Sequence, residues 1–523
     1  MSKIKIILLS LILFSGCASV EKYNQSISNL HSPDELKEDI DYAYKKITKL
    51  HPDLYWYISE DSLYNEFYQL KESIQNPMSS TEFYKQLSPV ISSIRQGHTY
   101  AYPPKKKQSK KDIKKDGQIE NPFKSFEFEN INNKMIITKN YGKDSTILEG
   151  SEVISVDSVK TEDLLASFQN LNSGDGYNET FIPRYSMTSF GKLYINTHEQ
   201  KDSILITLMK SDSIYSHYLF SHKKKDPTSK DKNIQDTIPK KTKIEKKKSK
   251  QIDKQRRVWE KRHAYNKYTK EKYRSFEFIE VDSINSISYM KIRGFKGGKY
   301  KDFYKECFSK IDSAKSEYLI LDLRNNFGGA LSEIHDLYSY LTDKEYVFIE
   351  KSKMTKRTSF MYPSFHSNSS LVKTLSVIFY PAFVGTQVSK VKKQDGIPYY
   401  AFKSSKKKDP KDNNFKGKIY VLINGNSFSA SCILSTNLHA TKRATFVGEE
   451  TGGAYNGTVA GLRALIELPN SKVGMKVGLL TINSPYTITP DGYGIKPDIY
   501  INNTSFEKDI QLEWILDDIK GNY

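Results

Sequence analysis

YLILDLRNNFGG, residues 318–329, joins an apolar strand to a polar turn that ends in two glycines. A helical apolar pattern follows at Leu331, Ile334, Leu337 and Leu341. The same strand, turn and helix order recurs over residues 419–439. Repeated units of this kind predict an α/β core with a partly parallel sheet. Ligands of such sheets bind beyond the carboxyl ends of the strands, so we expect the functional site at these two turns.

The two turns carry groups suited to acyl transfer rather than to nucleotide binding. Gly328-Gly329 is not followed by the Lys-Ser/Thr of a phosphate-binding loop. Glycine there allows backbone N–H groups to approach a developing oxyanion closely. Ser429 begins a helix, whose positive end stabilises a negatively charged oxygen. Taken alone, Ser427 or Ser429 is better explained as an ordinary helix N-cap.

Two further units precede this core. Residues 32–104 show capping boxes at Ser32 and Ser79 and helical apolar spacing, which predict a helical N-terminal domain. Its third helix stops at Gly97, directly before His98. Residues 123–219 follow a pattern of short strands, and within them 148–157 resembles the second half of a PDZ domain. PDZ domains capture an extended peptide at a sheet edge; a β-rich spacer is the alternative.

The net charge of +19 is confined to two segments. Residues 222–274 contain 21 Lys and Arg against 7 Asp and Glu, and residues 105–116 contain 7 Lys against 2 Asp, so the rest of the chain is neutral. Both runs are poor in branched apolar residues, as solvated insertions are. We therefore interpret 222–274 as a basic flexible insertion and expect no nucleic-acid partner. With 523 residues and 37% hydrophobic content, wholesale disorder is excluded.

Residues 1–17 predict a secretion signal. Lys3 and Lys5 precede an apolar run over residues 6–14 that is too short for a permanent membrane span. Small residues then precede Cys17, which resembles a bacterial lipoprotein processing site in which that cysteine becomes lipidated. An ordinary signal peptide is the alternative. Cys307 and Cys432 imply neither a disulfide framework nor a Cys-based zinc site, and we expect no metal or other cofactor.

Five motifs occur in a fixed order along the chain: Gly97-His98-Thr99, LDLRNNFGG at 321–329, SFSAS at 427–431, GEETGG at 448–453 and GYGIKPDI at 492–499. This series resembles the tail-specific, or C-terminal processing, serine peptidase family. It is closer to the tricorn-like and retinoid-binding-protein-like members than to the Ser-Lys dyad members. The resemblance spans 275–502 well and 35–104 weakly. It implies an α+β multidomain chain with a ClpP/crotonase-like α/β protease core over 275–523.

The resemblance also implies roles for individual residues. Ser429 matches the nucleophile, and the backbone N–H of Ala430 with that of Gly328 or Gly329 would form the oxyanion hole. The processing proteases pair their serine with a lysine in the turn after the next strand. Here that turn reads Gly-Gly-Ala at 452–454, and no lysine occurs between positions 442 and 472. A lysine dyad is therefore disfavoured.

His98 is then the candidate general base. An imidazole with a reference pKa of about 6.5 accepts a serine proton at neutral pH, which predicts activity rising through about pH 6 to 7. Tricorn-like members also have a serine just before this histidine and a distant acidic partner. Here Gly97 replaces the serine, and Glu449 or Glu450 is the candidate orienting acid. The alternative for either glutamate is an ordinary surface carboxylate.

The resulting hypothesis is a serine endopeptidase of the bacterial cell envelope, lipid-anchored to a membrane. It would cleave tails or unfolded segments of polypeptides through an acyl-enzyme. The alternative is a catalytically inactive peptide-binding or scaffold homologue of the same fold, which the incomplete orienting groups around His98 favour. In both hypotheses the partners are polypeptides and, through Cys17, a membrane.

Overall fold

The computed structural model describes residues 20–108, 118–119, 121–199, 201–221, 223–224, 243–281, 284–361 and 380–521. The predicted signal peptide and Cys17 lie outside this range. Among the helices that are described, none combines the length and apolar character that a bilayer crossing requires.

The N-terminal helices do not form a core of their own. Helices α1 to α4 lead into strand β1, with bounds Val20–Ser28, Pro33–Leu50, Glu60–Ser73, Ser80–Ser92 and Tyr100–Tyr102. Both predicted capping boxes are present, at Ser32 and Ser79. The apolar faces of α2, α3 and α4 pack into the same buried cluster as the central sheet of the C-terminal core. This shared packing fixes the loop after α4, which carries His98, against that core.

The segment predicted to be PDZ-like, residues 123–219, has a separate core and is called the PDZ-like unit below. Its sheet has the order β3-β4-β5-β7-β8, with β6 paired to β5 and all pairs antiparallel. A two-stranded sheet pairs β2 with β9. The strands β2 to β9 are Gln118–Ile119, Phe126–Ile131, Lys134–Asn140, Glu152–Val156, Val159–Lys160, Ser203–Lys210, Ser213–Phe220 and Lys223–Lys224. Helices α5, α6 and α7 are Thr161–Asn170, Phe181–Thr188 and Phe190–Thr197, and α6 packs against the edge strand β3.

The C-terminal core is built on a six-stranded sheet of order β10-β11-β12-β16-β17-β20. Only the β10–β11 pair is antiparallel, as the predicted α/β pattern requires. These strands are Arg274–Val281, Ile284–Ile292, Tyr318–Asp322, Lys418–Ile423, Thr445–Gly448 and Ile499–Tyr500. Helices α8 to α12 are Lys243–His263, Tyr300–Ser313, Leu331–Leu341, Ala430–Ala440 and Ile510–Ile519.

Two small sheets complete the core. Strand β1 pairs with β19, which pairs with β18, and both pairs are antiparallel. A second sheet has the order β13-β15-β14. The strands β13, β14, β15, β18 and β19 are Ser352–Lys353, Val391–Gln394, Ile397–Tyr400, Thr458–Glu467 and Gly474–Ile482. The first of these sheets holds the segment after His98 against the C-terminal core.

The prediction of a flexible insertion over 222–274 is wrong for its second part. Residues 243–263 form the helix α8, and the fully buried Arg274 ties its end to the core. The Arg274 guanidinium donates to the carbonyls of Lys261 and Arg262 and pairs with buried Glu333 at 2.6 Å. The helix has no apolar stripe. Its anchor is instead this buried ion pair together with the aromatic residues beyond it, and composition reveals neither.

Deleting residues 243–266 is therefore expected to destabilise the protein. The deletion removes two carbonyl acceptors from a buried charged donor, at about 1–3 kcal/mol each. We expect the melting temperature, measured by differential scanning fluorimetry, to fall by roughly 5–15 °C. The matched control deletes residues 226–241, which keeps α8 and removes a segment of low apolar content, and is expected to leave the melting temperature unchanged. Equal melting temperatures for the two deletions would contradict the anchoring role of α8.

Candidate active site

The two turns predicted to carry the site meet the loop after α4. Ser429 lies between β16 and α11, at the carboxyl end of a central parallel strand, and His98 lies between α4 and β1. The His98 Nε2 is 2.9 Å from the Ser429 Oγ, although the two residues are 331 positions apart. The structure thus brings together the predicted nucleophile and the predicted base at hydrogen-bond distance.

Ser429 has a strained backbone. Its φ of 58° and ψ of −118° lie in a region that L-residues rarely occupy. Hydrogen bonds on both sides hold it there: the Phe428 N–H donates to the Asn326 carbonyl at 3.0 Å, and the Ile433 N–H donates to the Ser429 carbonyl at 3.0 Å. A sharp strand-to-helix turn of this kind presents the serine hydroxyl at the head of the helix.

The structure distinguishes between the two predicted oxyanion-hole glycines. The Gly328 N–H donates to the Asn326 Oδ1 at 2.9 Å, so it is already engaged. Among the described residues, no acceptor contacts the N–H of Gly329 or that of Ala430. A Cβ on Gly328 would lie 2.7 Å from the Ala430 nitrogen, so glycine keeps the space beside that donor open. We therefore assign the two free donors to Gly329 and Ala430, with Gly328 as the spacer between them.

Gly97, which lies where the tricorn-like pattern that the sequence resembles has serine, has a packing explanation. A Cβ on Gly97 would lie 2.6 Å from the Cζ of Phe428, so the aromatic ring occupies the space of a side chain. Phe428 in turn lies beside the His98 ring, with centroids 5.4 Å apart, and stacks on Phe181 at 4.3 Å. An aromatic contact thus replaces a polar one on this side of His98.

Asp175 supports the loop that carries His98 and was missed by the sequence analysis. Its Oδ1 accepts the Gly97 N–H at 2.8 Å, and the carboxyl is only 1% exposed. Burial raises the pKa of Asp175 to about 7. The neighbouring Gly176 N–H donates to the Arg95 carbonyl at 2.9 Å, so the turn over 173–176 is hydrogen-bonded to the loop at both Arg95 and Gly97. An aspartate between two glycines, in Gly174-Asp175-Gly176, is the turn signal that was available in the sequence.

Neither Glu449 nor Glu450 orients His98, which corrects the prediction. Both oxygens of Glu449 accept from Arg184 Nη2, at 2.5 and 2.6 Å. Glu450 Oε1 accepts from the Gly494 N–H at 2.7 Å. The largely buried Glu449 requires a cation, and α6 supplies it from the PDZ-like unit. Within the described residues, no hydrogen bond reaches the His98 Nδ1, so the structure shows a Ser-His pair without an acidic partner.

The surroundings of His98 lower its pKa to about 4. The main cause is removal of the imidazole from water, and the nearby cations Arg463 and Lys476 act in the same direction. A base is active in its neutral form, so lowering its pKa moves the onset of activity to lower pH. The reference pKa of about 6.5 describes an imidazole in water, without this burial and without these neighbouring cations.

We expect kcat/KM for an uncharged peptide to rise through about pH 4 and to be level from about pH 5.5 to 8. The measurement is a pH–rate profile, with circular dichroism at each pH to confirm folding. Half-maximal activity at pH 6 to 7 that persists in Asp175→Asn, a variant without the other group that titrates in this range, would contradict this environment for His98 and would restore the expectation from an unperturbed imidazole.

Residues 286–501 match the model of peptidase family S41. Over these residues the C-terminal core is similar to this family of serine peptidases. The predicted resemblance and the multidomain α/β fold are both confirmed. The match includes Ser429 and the turn with Gly328 and Gly329, whereas His98 and Asp175 precede it.

Several solved structures match over most of the chain. Mature CPAF is 13% identical, with 93% of this chain and 96% of that chain covered and a TM-score of 0.57. The photosystem II D1 C-terminal processing protease is 12% identical, with 90% and 95% covered and a TM-score of 0.42. The tricorn protease is 14% identical, with 94% and 37% covered and a TM-score of 0.34. A search of curated proteins returned no match.

Proposed function

We propose that this serine peptidase is an active endopeptidase that hydrolyses polypeptides through an acyl-enzyme. The observation that carries the proposal is the 2.9 Å contact between His98 Nε2 and Ser429 Oγ. A histidine kept neutral at physiological pH is competent to accept the serine proton. The unpaired N–H groups of Gly329 and Ala430 supply the donors that a tetrahedral oxyanion needs.

The reaction proceeds in two steps. Ser429 Oγ attacks the scissile carbonyl carbon while its proton passes to His98 Nε2. That proton then goes to the departing amine as the C–N bond breaks, which leaves an ester on Ser429. Water attacks the ester carbonyl while its proton passes to His98 Nε2, and His98 returns this proton to Ser429 Oγ as the ester C–O bond breaks, which releases the carboxyl product and the free serine. The backbone donors carry the oxyanion charge in both steps.

A serine-directed fluorophosphonate tests this proposal directly. We expect stoichiometric labelling of the wild-type protein at Ser429, identified by peptide mass spectrometry, and none in Ser429→Ala. The matched control is Ser435→Ala, since Ser435 is a buried serine further along α11. Labelling that persists in Ser429→Ala, or an unlabelled wild-type protein, would contradict the proposal.

The second candidate is an inactive peptide-binding scaffold of the same fold. The absence of an acidic partner at His98 Nδ1, within the described residues, favours it. A scaffold of this kind would bind polypeptides and remain unlabelled by the fluorophosphonate. The labelling experiment therefore separates the two candidates without knowledge of the natural substrate.

Tail preference and envelope location belong to the same proposal. The resemblance to tail-specific peptidases and the PDZ-like sheet support cleavage of exposed tails or unfolded segments. The charged, short apolar N-terminal segment that leads to Cys17 supports secretion and lipidation.

Replacing Cys17 with serine is expected to move the protein from the membrane fraction to the soluble fraction, because the acyl chains supply the anchoring energy. Cell fractionation followed by immunoblotting measures the shift, and Ser19→Ala, two positions further along, serves as the control. Unchanged membrane association of a normally processed Cys17→Ser protein would contradict lipid anchoring.

A further inference from the structure

Basic side chains gather beside the Ser429–His98 pair. The three residues come from two parts of the chain, namely Lys192 from the PDZ-like unit and Arg463 and Lys476 from strands β18 and β19. Lys476 is half-buried, and the other two are exposed. Lys476 contacts Tyr100, two positions after His98.

Strand register places two of these cations next to the catalytic loop. Lys476 on β19 is opposite Tyr100 on β1, and its Nζ donates to the Tyr100 hydroxyl at 2.7 Å. Arg463 on β18 is opposite Gly478, two positions further along β19. The Gly478 N–H in turn contacts the Thr99 hydroxyl at 3.4 Å. Because Thr99 directly follows His98, Arg463 and Lys476 belong to the β-ribbon that borders the histidine, and both lower its pKa.

The third cation reaches the site from the PDZ-like unit. The Lys192 Nζ donates to the Tyr185 hydroxyl at 3.0 Å, and Tyr185 stacks on Phe181 with centroids 5.3 Å apart. Phe181 stacks on Phe428, the neighbour of Ser429.

These three cations have no carboxylate partner among the described residues. The contrast with other arginines of the core is clear: Arg184, Arg274 and Arg324 each bind a carboxylate at 2.5–2.8 Å. Glu467 on β18 is opposite Gly474, two positions from Lys476 along β19, and forms no ion pair with the group among the described residues. Like charges held together without a counterion are unfavourable, and an anion bound among them removes that cost.

We propose that Lys192, Arg463 and Lys476 bind a carboxylate of the polypeptide substrate close to the scissile bond. This inference rests on the proposed peptidase function and adds a substrate class to it. The carboxylate comes either from an Asp or Glu side chain or from the chain terminus. Arginine and lysine donors suit both, and the Tyr100 hydroxyl adds a neutral donor to the same group.

The test compares matched fluorogenic peptides at pH 8, where His98 is neutral. One pair differs by Glu against Gln at positions within three residues of the scissile bond, and a second pair differs by a free against an amidated C-terminus. We expect the wild type to prefer the charged member of at least one pair by about tenfold or more in kcat/KM, chiefly through KM. The pair that shows the preference identifies the source of the carboxylate. The preference is expected to shrink as NaCl is raised from about 50 to about 500 mM.

The double variant Arg463→Gln, Lys476→Met is expected to lower the charged-to-neutral ratio of kcat/KM to near 1. The matched control Arg257→Gln, Lys254→Met removes the same charges from the exposed surface of α8 and is expected to keep the wild-type ratio. A wild-type ratio near 1 for both pairs, or an unchanged ratio in the Arg463/Lys476 variant, would overturn the inference. If the wild type cleaves neither member, the proposed function fails. Fluorescence anisotropy of the same peptides on Ser429→Ala then tests the binding inference separately. Tighter binding of the charged member supports the inference, and equal binding overturns it.

Discussion

Replacing His98 with alanine is expected to lower kcat by about a thousandfold or more in a protein that remains folded. The His98 Nε2 is the group at 2.9 Å from the Ser429 Oγ, and its removal leaves the serine without a proton acceptor. Steady-state kinetics on a neutral peptide measures the effect. KM is expected to change little, because the imidazole acts on the serine rather than on the substrate.

The matched control is His439→Ala. His439 lies in the last turn of α11, where its Nδ1 is 3.2 Å from the Tyr455 hydroxyl, and the proposed mechanism gives it no role. Near-normal kcat in a folded His98→Ala protein would contradict the assignment of the base. The lysines then to be tested are Lys442 and Lys472, although Lys442 is exposed and the Lys472 Nζ is bonded to the Pro469 carbonyl.

Replacing Gly329 with alanine is expected to lower kcat by about 10²–10³-fold, the cost of losing one oxyanion donor. The φ of Gly329 is 145°, and a Cβ there would lie 2.0 Å from the Phe295 carbonyl oxygen. The turn must therefore shift, and the shift moves the Gly329 N–H away from its place beside Ala430. Steady-state kinetics and the rate of fluorophosphonate labelling measure the loss.

Gly385→Ala is the control for this substitution, since a Cβ on Gly385 meets nothing within 4 Å. Melting temperatures of both variants separate a misplaced donor from an unfolded protein. A folded Gly329→Ala protein with kcat within a few-fold of wild type would show that the Gly329 N–H does not stabilise the oxyanion. The Gly328 N–H, released from Asn326, would then be the second donor to test.

Local sequence patterns were sufficient for most elements of the core, and the resemblance carried by the ordered motifs implied the reactive pair. The alternation of apolar strands with glycine-rich turns predicted the partly parallel sheet, and the capping boxes at Ser32 and Ser79 predicted two helix starts. Ordered motifs predicted that Ser429 and His98 act together, and the structure places them in contact. Such signals depend on residues within a few positions of one another, or on motifs short enough to recognise individually.

Tertiary structure alone decided the environment of that pair. Arg184 binds Glu449 across 265 positions, which removes this glutamate from the role predicted for it, and Asp175 supports Gly97 across 78 positions. The same holds for Arg274, whose burial anchors α8 within a segment whose composition predicts flexibility. The physical reason is that burial and charge pairing, which set the partner of a carboxylate and the pKa of His98, depend on which distant segments the fold brings together.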